Sequence, residues 1–132
     1  MTELEKSYIA GLIDGEGSIL LERPKTTEFR HPAISIATTT IELIDFLPDL
    51  CGGNISSKQE KDGYLSAFSY KIRGDKALDL MQNILPYLKC KNKIARAEYL
   101  LKHYKENTVR NGKYNAEQLK KKQEFEENFF KL

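Results

Sequence analysis

An acidic side chain, Glu16, stands between two glycines at the end of the stretch Ile9-Ala10-Gly11-Leu12-Ile13-Asp14-Gly15-Glu16-Gly17. Ile9, Leu12 and Ile13 fall at the i, i+3, i+4 spacing of one apolar stripe on a helix. Ala10, Gly11, Asp14 and Gly15 form a second stripe of small or short residues, with Gly11 one turn before Gly15. Each helical glycine costs about 1 kcal/mol relative to alanine, and close approach of a second helix is the natural offset. Gly17 then suits a helix C-terminus, where a positive φ is often required. A buried amphipathic helix explains the apolar stripe. It explains neither the paired glycines nor the carboxylate, because negative charge at a helix C-terminus opposes the dipole. Only one copy of this motif occurs, so a partner helix must come from a second copy of the chain, and a C2 homodimer follows. Two Glu16 carboxylates meeting at its axis repel one another unless a cation lies between them. Carboxylate oxygens are hard ligands that suit Mg²⁺ or Mn²⁺. Metals there can polarise a phosphate ester, help deprotonate a water and stabilise a leaving oxygen.

The elements that must hold this carboxylate follow from periodicity. Thr2-Glu3-Leu4-Glu5 is a capping box that starts the first helix at once. Residues 18–23 read as a strand with Ile19 and Leu21 on one face and Leu20 and Glu22 on the other. A polar hairpin connection at 24–28 leads to a second strand at 33–38, where Ile34 and Ile36 alternate with Ala33, Ser35 and Ala37. Thr39-Thr40-Ile41-Glu42 is a further capping box, with Thr39 as the cap, opening a helix whose apolar side is Leu43, Ile44 and Leu47 and which ends near Pro48. After Gly52-Gly53 the strand pair repeats. A polar strand spans 54–60, a turn Lys61-Asp62-Gly63, and a return 64–73 with Phe68, Tyr70 and Ile72 on one face. A third helix follows Gly74-Asp75 and ends near Pro86; two more are expected at about 92–106 and 115–130. The class is α+β: helix, two strands, helix, two strands, helix, then helical C-terminal material.

The 132 residues suit one domain with one core, about 7–95, followed by the C-terminal helical region, about 92–132. No apolar run approaches a membrane span and no signal-peptide pattern opens the chain. The two cysteines, Cys51 and Cys90, match no zinc spacing and fit free thiols in a reducing compartment, so the expected location is intracellular, in cytoplasm, nucleoid or an organelle matrix. The net charge of +2 is low for a protein that holds nucleic acid, but its distribution is uneven. Residues 1–22 carry a balance of −4, whereas 89–105 carry +5, dense in Lys89-Cys90-Lys91-Asn92-Lys93. Such a block is an electrostatic footprint or a solvated helix face.

Helices on one side of a four-stranded antiparallel sheet leave its other face open. Alternation assigns to that face Leu20, Glu22, Ala33, Ser35, Ser56, Lys58, Ser69, Lys71 and Arg73. Small, hydroxyl and basic groups suit a surface laid along a nucleic-acid groove, although a solvated sheet face has nearly the same composition. A strand of eight residues runs about 26 Å, close to a DNA turn of about 34 Å.

The nonapeptide resembles the signature of the LAGLIDADG homing endonucleases, with seven of nine positions matching when Glu16 is counted as replacing Asp. The departures are Ile9, Gly15 and Glu16 itself, and the αββαββα order extends the resemblance over about residues 7–95. It implies a saddle-like four-stranded antiparallel sheet with helices on one face. It also implies a homodimer joined through Ala10, Gly11, Asp14 and Gly15, and a long, near-palindromic double-stranded DNA site. In this family the Glu16 position holds the metal with the carbonyl of the preceding residue, here Gly15. The metal is Mg²⁺, with Mn²⁺ as a substitute, and the cuts cross the minor groove to leave short 3′ overhangs.

The stretch Pro86-Tyr87-Leu88-Lys89-Cys90-Lys91 resembles the family's segment after the third helix, which makes Lys91 the expected active-site lysine and Lys89 the alternative one register away. Thr38 stands where the family often has Gln or Asn as a third catalytic group. Asp14 is expected to bond backbone at the helix interface, and His31 and His103 to be non-catalytic. DNA contacts are expected from Glu22, Arg23, Lys25, Arg30, His31, Ser35, Ser56, Lys58, Ser69, Lys71 and Arg73. Two other classes stay open: a non-cleaving DNA- or RNA-binding protein on the same scaffold (splicing cofactor or regulator), and a module whose glycine stripe serves dimerisation alone. The intron-borne or free-standing form is expected, since no splicing-domain sequence surrounds the motif.

Overall fold

The structure, a computed structural model, describes residues 1–26, 29–58 and 67–132. Helix α1 (Glu3–Glu16) starts on the expected capping box: the Glu5 N–H donates to the Thr2 hydroxyl at 3.1 Å and the Thr2 N–H to the Glu5 carboxylate at 2.8 Å. Strand β1 (Gly17–Glu22) begins on the very next residue. Gly17 therefore does not adopt the expected positive φ; its backbone is extended, at φ −101°. Glycine is needed there for another reason, since a Cβ would lie 2.8 Å from the Cα of Ile13. The chain turns from helix to strand by folding tightly over its own last helical turn.

Strand β2 (His31–Thr38) returns antiparallel to β1, with Gly17 opposite Ile36 and Glu22 opposite His31. The next segment departs from expectation. Ile41–Leu43 form a single 3₁₀ turn without a side-chain cap, and helix α2 (Leu47–Cys51) begins only afterwards with Pro48 in its first turn. A residue with fixed φ and no N–H suits a helix start rather than an end. Thr39 caps nothing; the Thr38 hydroxyl instead accepts the Thr40 N–H at 3.0 Å.

Strands β3 (Asn54–Lys58) and β4 (Ala67–Arg73) form the second antiparallel pair, and β4 lies beside β2, giving the order β1-β2-β4-β3. The expected strand ends at 59–60 and 64–66, the turn 61–63, and Thr27 and Glu28 of the first hairpin connection lie outside the described residues. Gly53, at φ +91°, allows β3 to start close against β4: a Cβ there would lie 2.8 Å from the Lys71 carbonyl and the Tyr70 ring. The buried Tyr70 hydroxyl donates to the Gly52 carbonyl at 2.6 Å and fixes the same corner.

Helix α3 (Gly74–Ile84), a 3₁₀ turn at Leu85–Tyr87 and helix α4 (Lys91–His103) complete the layer. Helices α1, α3 and α4 cover one face of the sheet. Its core is Ile19, Ile34, Ile36, Tyr70 and Ile72 from the strands, met by Ile9, Ile13, Met81 and Ile84 from the helices. Each such side chain contributes about 1.5–3 kcal/mol when fully buried, which is why the period-two pattern dictates which sheet face stays open. Among the described residues no helix is long and apolar enough to cross a membrane.

Helix α4 ends three residues before the expected 106, and a 3₁₀ turn at Lys105–Asn107 follows. Helix α5 (Ala116–Phe129) starts on an Asn115–Gln118 capping box that the sequence reading did not single out. Tyr99 of α4 stacks on Phe125 of α5 at 5.3 Å and donates to the Phe125 carbonyl at 2.8 Å. Beside this pair Lys122 is only 1% exposed. Its ammonium donates to the Thr108 hydroxyl at 2.8 Å and sits 4.6 Å from the Tyr104 ring centroid and 5.2 Å from that of Phe125. Burial lowers its pKa, against the opposing pull of Glu126.

Candidate functional site

Glu16 is the last residue of α1, exposed, with Gly15 exposed before it. What fixes this helix end is α4. The Asp14 carboxylate accepts the N–H of Lys89 at 2.8 Å and of Cys90 at 3.1 Å. Burial pushes the Asp14 carboxyl up, but these backbone hydrogen bonds and the Lys93 charge outweigh it, and its pKa is lowered. In return the Lys93 ammonium donates to the carbonyls of Ile13 and Asp14, both at 2.7 Å. Asp14 thus bonds backbone at a helix interface, but an interface within the chain. Lys89 and Lys91 stand exposed on either side of Cys90, at the start of α4 and beside the end of α1.

On the outer side of α1 the small stripe is only partly as expected. Ala10 is fully buried in the chain's own core, because it follows Ile9 around the inner face, so it is not available to a partner. Gly11 and Gly15 are exposed, and a Cβ built on either meets nothing within 4 Å. Leu4, 84% exposed, and Tyr8, 45% exposed, share their side of the helix at the i, i+4, i+7, i+11 spacing. Among the described residues nothing accounts for the two glycines or for the uncovered Leu4.

Thr38 lies two residues beyond Ile36, the partner of Gly17, at the end of β2 nearest α1. Its hydroxyl oxygen accepts the Thr40 N–H and keeps its own proton to donate. Among the described residues no group of three or more His, Cys, Asp or Glu side chains forms a metal cage. The chain offers the Glu16 carboxylate and the adjacent Gly15 carbonyl, both hard oxygen donors of the kind that suit Mg²⁺ or Mn²⁺.

The open sheet face carries Leu20, Glu22, Ser35, Ser56, Ser69, Lys71 and Arg73 as alternation assigned; Ala33 shares it but is fully buried, and the Lys58 side chain lies outside the described residues. Ladder partners place Leu20 opposite Ala33, Ala33 opposite Arg73, Ser35 opposite Lys71, Ser69 opposite Ser56, and Ala67 opposite Lys58. Glu22 reaches across β2 to both cations of β4, at 3.0 Å from Lys71 Nζ and 3.1 Å from Arg73 Nε. Burial raises the Glu22 carboxyl, but hydrogen bonds and charge from Lys71 and Arg73 prevail and hold it below its usual value. Between β3 and β4 a groove of about 430 Å³ is lined by Asn54, Ser56, Ser69, Lys71, Arg73 and Lys76. Lys76 was missed, because in sequence it is one more polar position on α3; only the turn at Gly74, φ +68°, brings it to this edge.

At the other end of the sheet, Arg23 and Lys25 are exposed and His31 shares the open face, its Nδ1 3.3 Å from the Tyr104 hydroxyl. Arg30 differs from expectation. Its N–H donates to Glu126 at 3.0 Å and its guanidinium lies 4.7 Å from the Phe130 ring centroid, so α5 holds it away from the open face.

The helix-led αββαββα order, the open sheet and the acid at the end of the first helix define the LAGLIDADG homing endonuclease fold, and the chain has this fold. No protein-family model matches the sequence, and no curated protein does. Solved structures do. The archaeal intron-encoded homing endonuclease I-Vdi141I, complexed with DNA, is 17% identical with a TM-score of 0.62, over 98% of this chain and 84% of that one. I-CvuI, in complex with its target in the presence of calcium, is 19% identical with a TM-score of 0.62, over 78% of this chain and 67% of that one. The group I intron-encoded I-CeuI, also complexed with DNA, is 16% identical with a TM-score of 0.57, and the match covers 80% of this chain and 57% of that one.

Proposed function

We propose that the chain is a divalent-metal-dependent DNA endonuclease that acts as a homodimer on a near-palindromic double-stranded site. The observation that carries the proposal is the outer face of α1. Two helical glycines with open space above them, together with the uncovered Leu4 and the half-exposed Tyr8, whose ring packs against Phe46, form a surface that another helix can approach closely, and it runs directly to Glu16. A second copy related by a two-fold axis satisfies it and brings two Glu16 carboxylates together. The DNA-bound state of I-Vdi141I and I-CeuI, with the same fold, supports DNA as the partner. The calcium and magnesium present with I-CvuI support a divalent cation.

In this reading Glu16 and the Gly15 carbonyl hold Mg²⁺, with Mn²⁺ as a substitute. When bound, the metal supplies Lewis-acid polarisation of the scissile phosphate and lowers the pKa of water. The residues of the chain do the rest. Lys91 faces the pentavalent phosphorus and offsets its developing negative charge, with Lys89 as the neighbour that contacts the flanking phosphate. Thr38 donates its hydroxyl proton to a water or phosphate oxygen. A water attacks phosphorus and one ester oxygen leaves, once per strand, so the two sites cut the duplex. Ser35, Ser56, Ser69, Lys58, Lys71, Lys76, Arg73 and Glu22 meet groove edges and phosphates, and Arg23, Lys25 and His31 extend the contact past the end of the sheet. The DNA encountered is intracellular.

Cleavage of a randomised palindromic library with Mg²⁺, beside Glu16→Gln, tests the proposal. Site-specific double-strand cuts by the wild type that vanish in Glu16→Gln support it. Enrichment by binding without cutting, with Mn²⁺ as well, refutes the nuclease and favours a non-cleaving binder.

A further inference from the structure

The Lys93 ammonium is used up in an unusual way: it donates to two consecutive carbonyls of another helix, Ile13 and Asp14, both at 2.7 Å. The last carbonyls of an α-helix together carry about half a negative charge; here the Ile13 carbonyl also accepts the Gly17 N–H, so Lys93 brings it a second, charged donor. A lysine is suited to this end because its charge complements the dipole and its several N–H groups serve two acceptors. The next carbonyl along the chain is Gly15's, and the next side chain is that of Glu16. The contact is matched in the opposite direction by the Asp14 carboxylate, which holds the N–H groups of Lys89 and Cys90 at the start of α4. Lys91 and Lys93 are two residues apart on one helix, about 200° around its axis. Lys93 can therefore face α1 while Lys91 faces solvent, as their half-buried and exposed states show.

We propose that Lys93 is a positioning residue. It clasps the last turn of α1 to the first turn of α4 and thereby fixes the Gly15 carbonyl and the Glu16 side chain relative to Lys91. This role rests on the nuclease reading. It makes Lys93 the one lysine of the 89–93 run that serves the protein's own backbone instead of a phosphate.

The test compares wild type, Lys93→Met, which keeps the aliphatic stem, and Lys93→Arg, which restores a cation able to bond carbonyls. Amide hydrogen exchange is measured on protein without metal or DNA, DNA affinity is measured in Ca²⁺, and single-turnover cleavage is measured in Mg²⁺. Lys93→Met is expected to speed exchange several-fold at residues 15–18 while the β2 and β4 amides keep theirs. DNA affinity should stay within about twofold, and cleavage should slow about 10- to 100-fold, the range set by a misplacement near 1 Å. Lys93→Arg should recover most of the loss. Unchanged exchange at 15–18, or exchange accelerated over the whole sheet along with a fall in Tm, overturns the role. A wild type that cuts beside a Lys93→Met that cuts equally well refutes this role alone. A wild type that binds and never cuts refutes the nuclease reading, and this role with it.

Discussion

Replacing Gly11 by alanine should have opposite effects on the single chain and on the proposed dimer. Gly11 lies mid-helix in α1, and a Cβ built there meets nothing within 4 Å. Within one chain the new methyl has no clash to relieve, so only the backbone entropy matters, and the folded state should gain about 0.5–1 kcal/mol. In the proposed dimer the same methyl would enter a helix–helix contact, twice, because the two-fold axis repeats it. Overpacking of such a contact costs about 1–3 kcal/mol, which is about a 5- to 150-fold rise in the dissociation constant. The assay is sedimentation across a concentration series, paired with urea unfolding at a concentration where the wild type is monomeric. The expected result is a more stable monomer that dimerises less well and cuts DNA only at higher protein concentration. A variant that is more stable and dimerises as tightly as wild type would show that the glycine face is not where the copies meet.

Leu4→Glu should leave monomer stability within about 0.5 kcal/mol, because an 84% exposed side chain has little to lose, while weakening the dimer in the same sedimentation series. Glu22→Gln should raise DNA affinity and steepen its salt dependence, since Lys71 and Arg73 are released from their shared carboxylate; a shallower slope would contradict this. The same variant bears on acid stability. The Glu22 carboxyl sits below its ordinary value in the folded chain, so its stabilisation is complete above the unfolded carboxylate range and is lost as pH falls through the folded value. Urea titrations from about pH 6 to about pH 3 should show a shallower decline for Glu22→Gln. Lys122 is shifted in the same direction, but because burial disfavours its charged form. Burial lowers its pKa, so the folded chain releases this proton first and stability should rise with pH towards the ordinary lysine range. Lys122→Met should abolish that rise and change stability at neutral pH by no more than about 1–2 kcal/mol, whereas Phe125→Ala should cost about 3–5 kcal/mol.

Period-two alternation was a sufficient guide to the sheet because a slip of one residue would expose Ile19, Ile34, Ile36 and Ile72 together. The same logic found the open face without knowing what covers the other. It failed where a residue's role depends on neighbours distant in sequence. Pro48 reads as the end of a helix until the 3₁₀ turn before it is seen, and then as the start of α2. Arg30 reads as one more cation of a hairpin, but Glu126 and Phe130, almost a hundred residues later, hold it against α5. Gly17 was recognised as necessary but for the wrong reason: the constraint is contact with Ile13, not the sign of φ.

The active-site reading gains most from two apparent violations of helix electrostatics. Glu16 places negative charge at the negative end of α1, and Lys91 and Lys93 place positive charge at the positive end of α4. Taken one helix at a time, both are unfavourable. The fold brings the two ends together, so Lys93 answers the Ile13 and Asp14 carbonyls of α1 and Asp14 accepts the N–H groups of Lys89 and Cys90, the two residues that lead into α4. These contacts tie the two helix ends together without using the Glu16 or Lys91 side chain, and both side chains remain exposed. A carboxylate and an ammonium that neither helix end uses are, in the proposed nuclease, free to meet a cation and a phosphate. Their removal should therefore cost cleavage and leave folding almost untouched, the reverse of what removal of Asp14 should do.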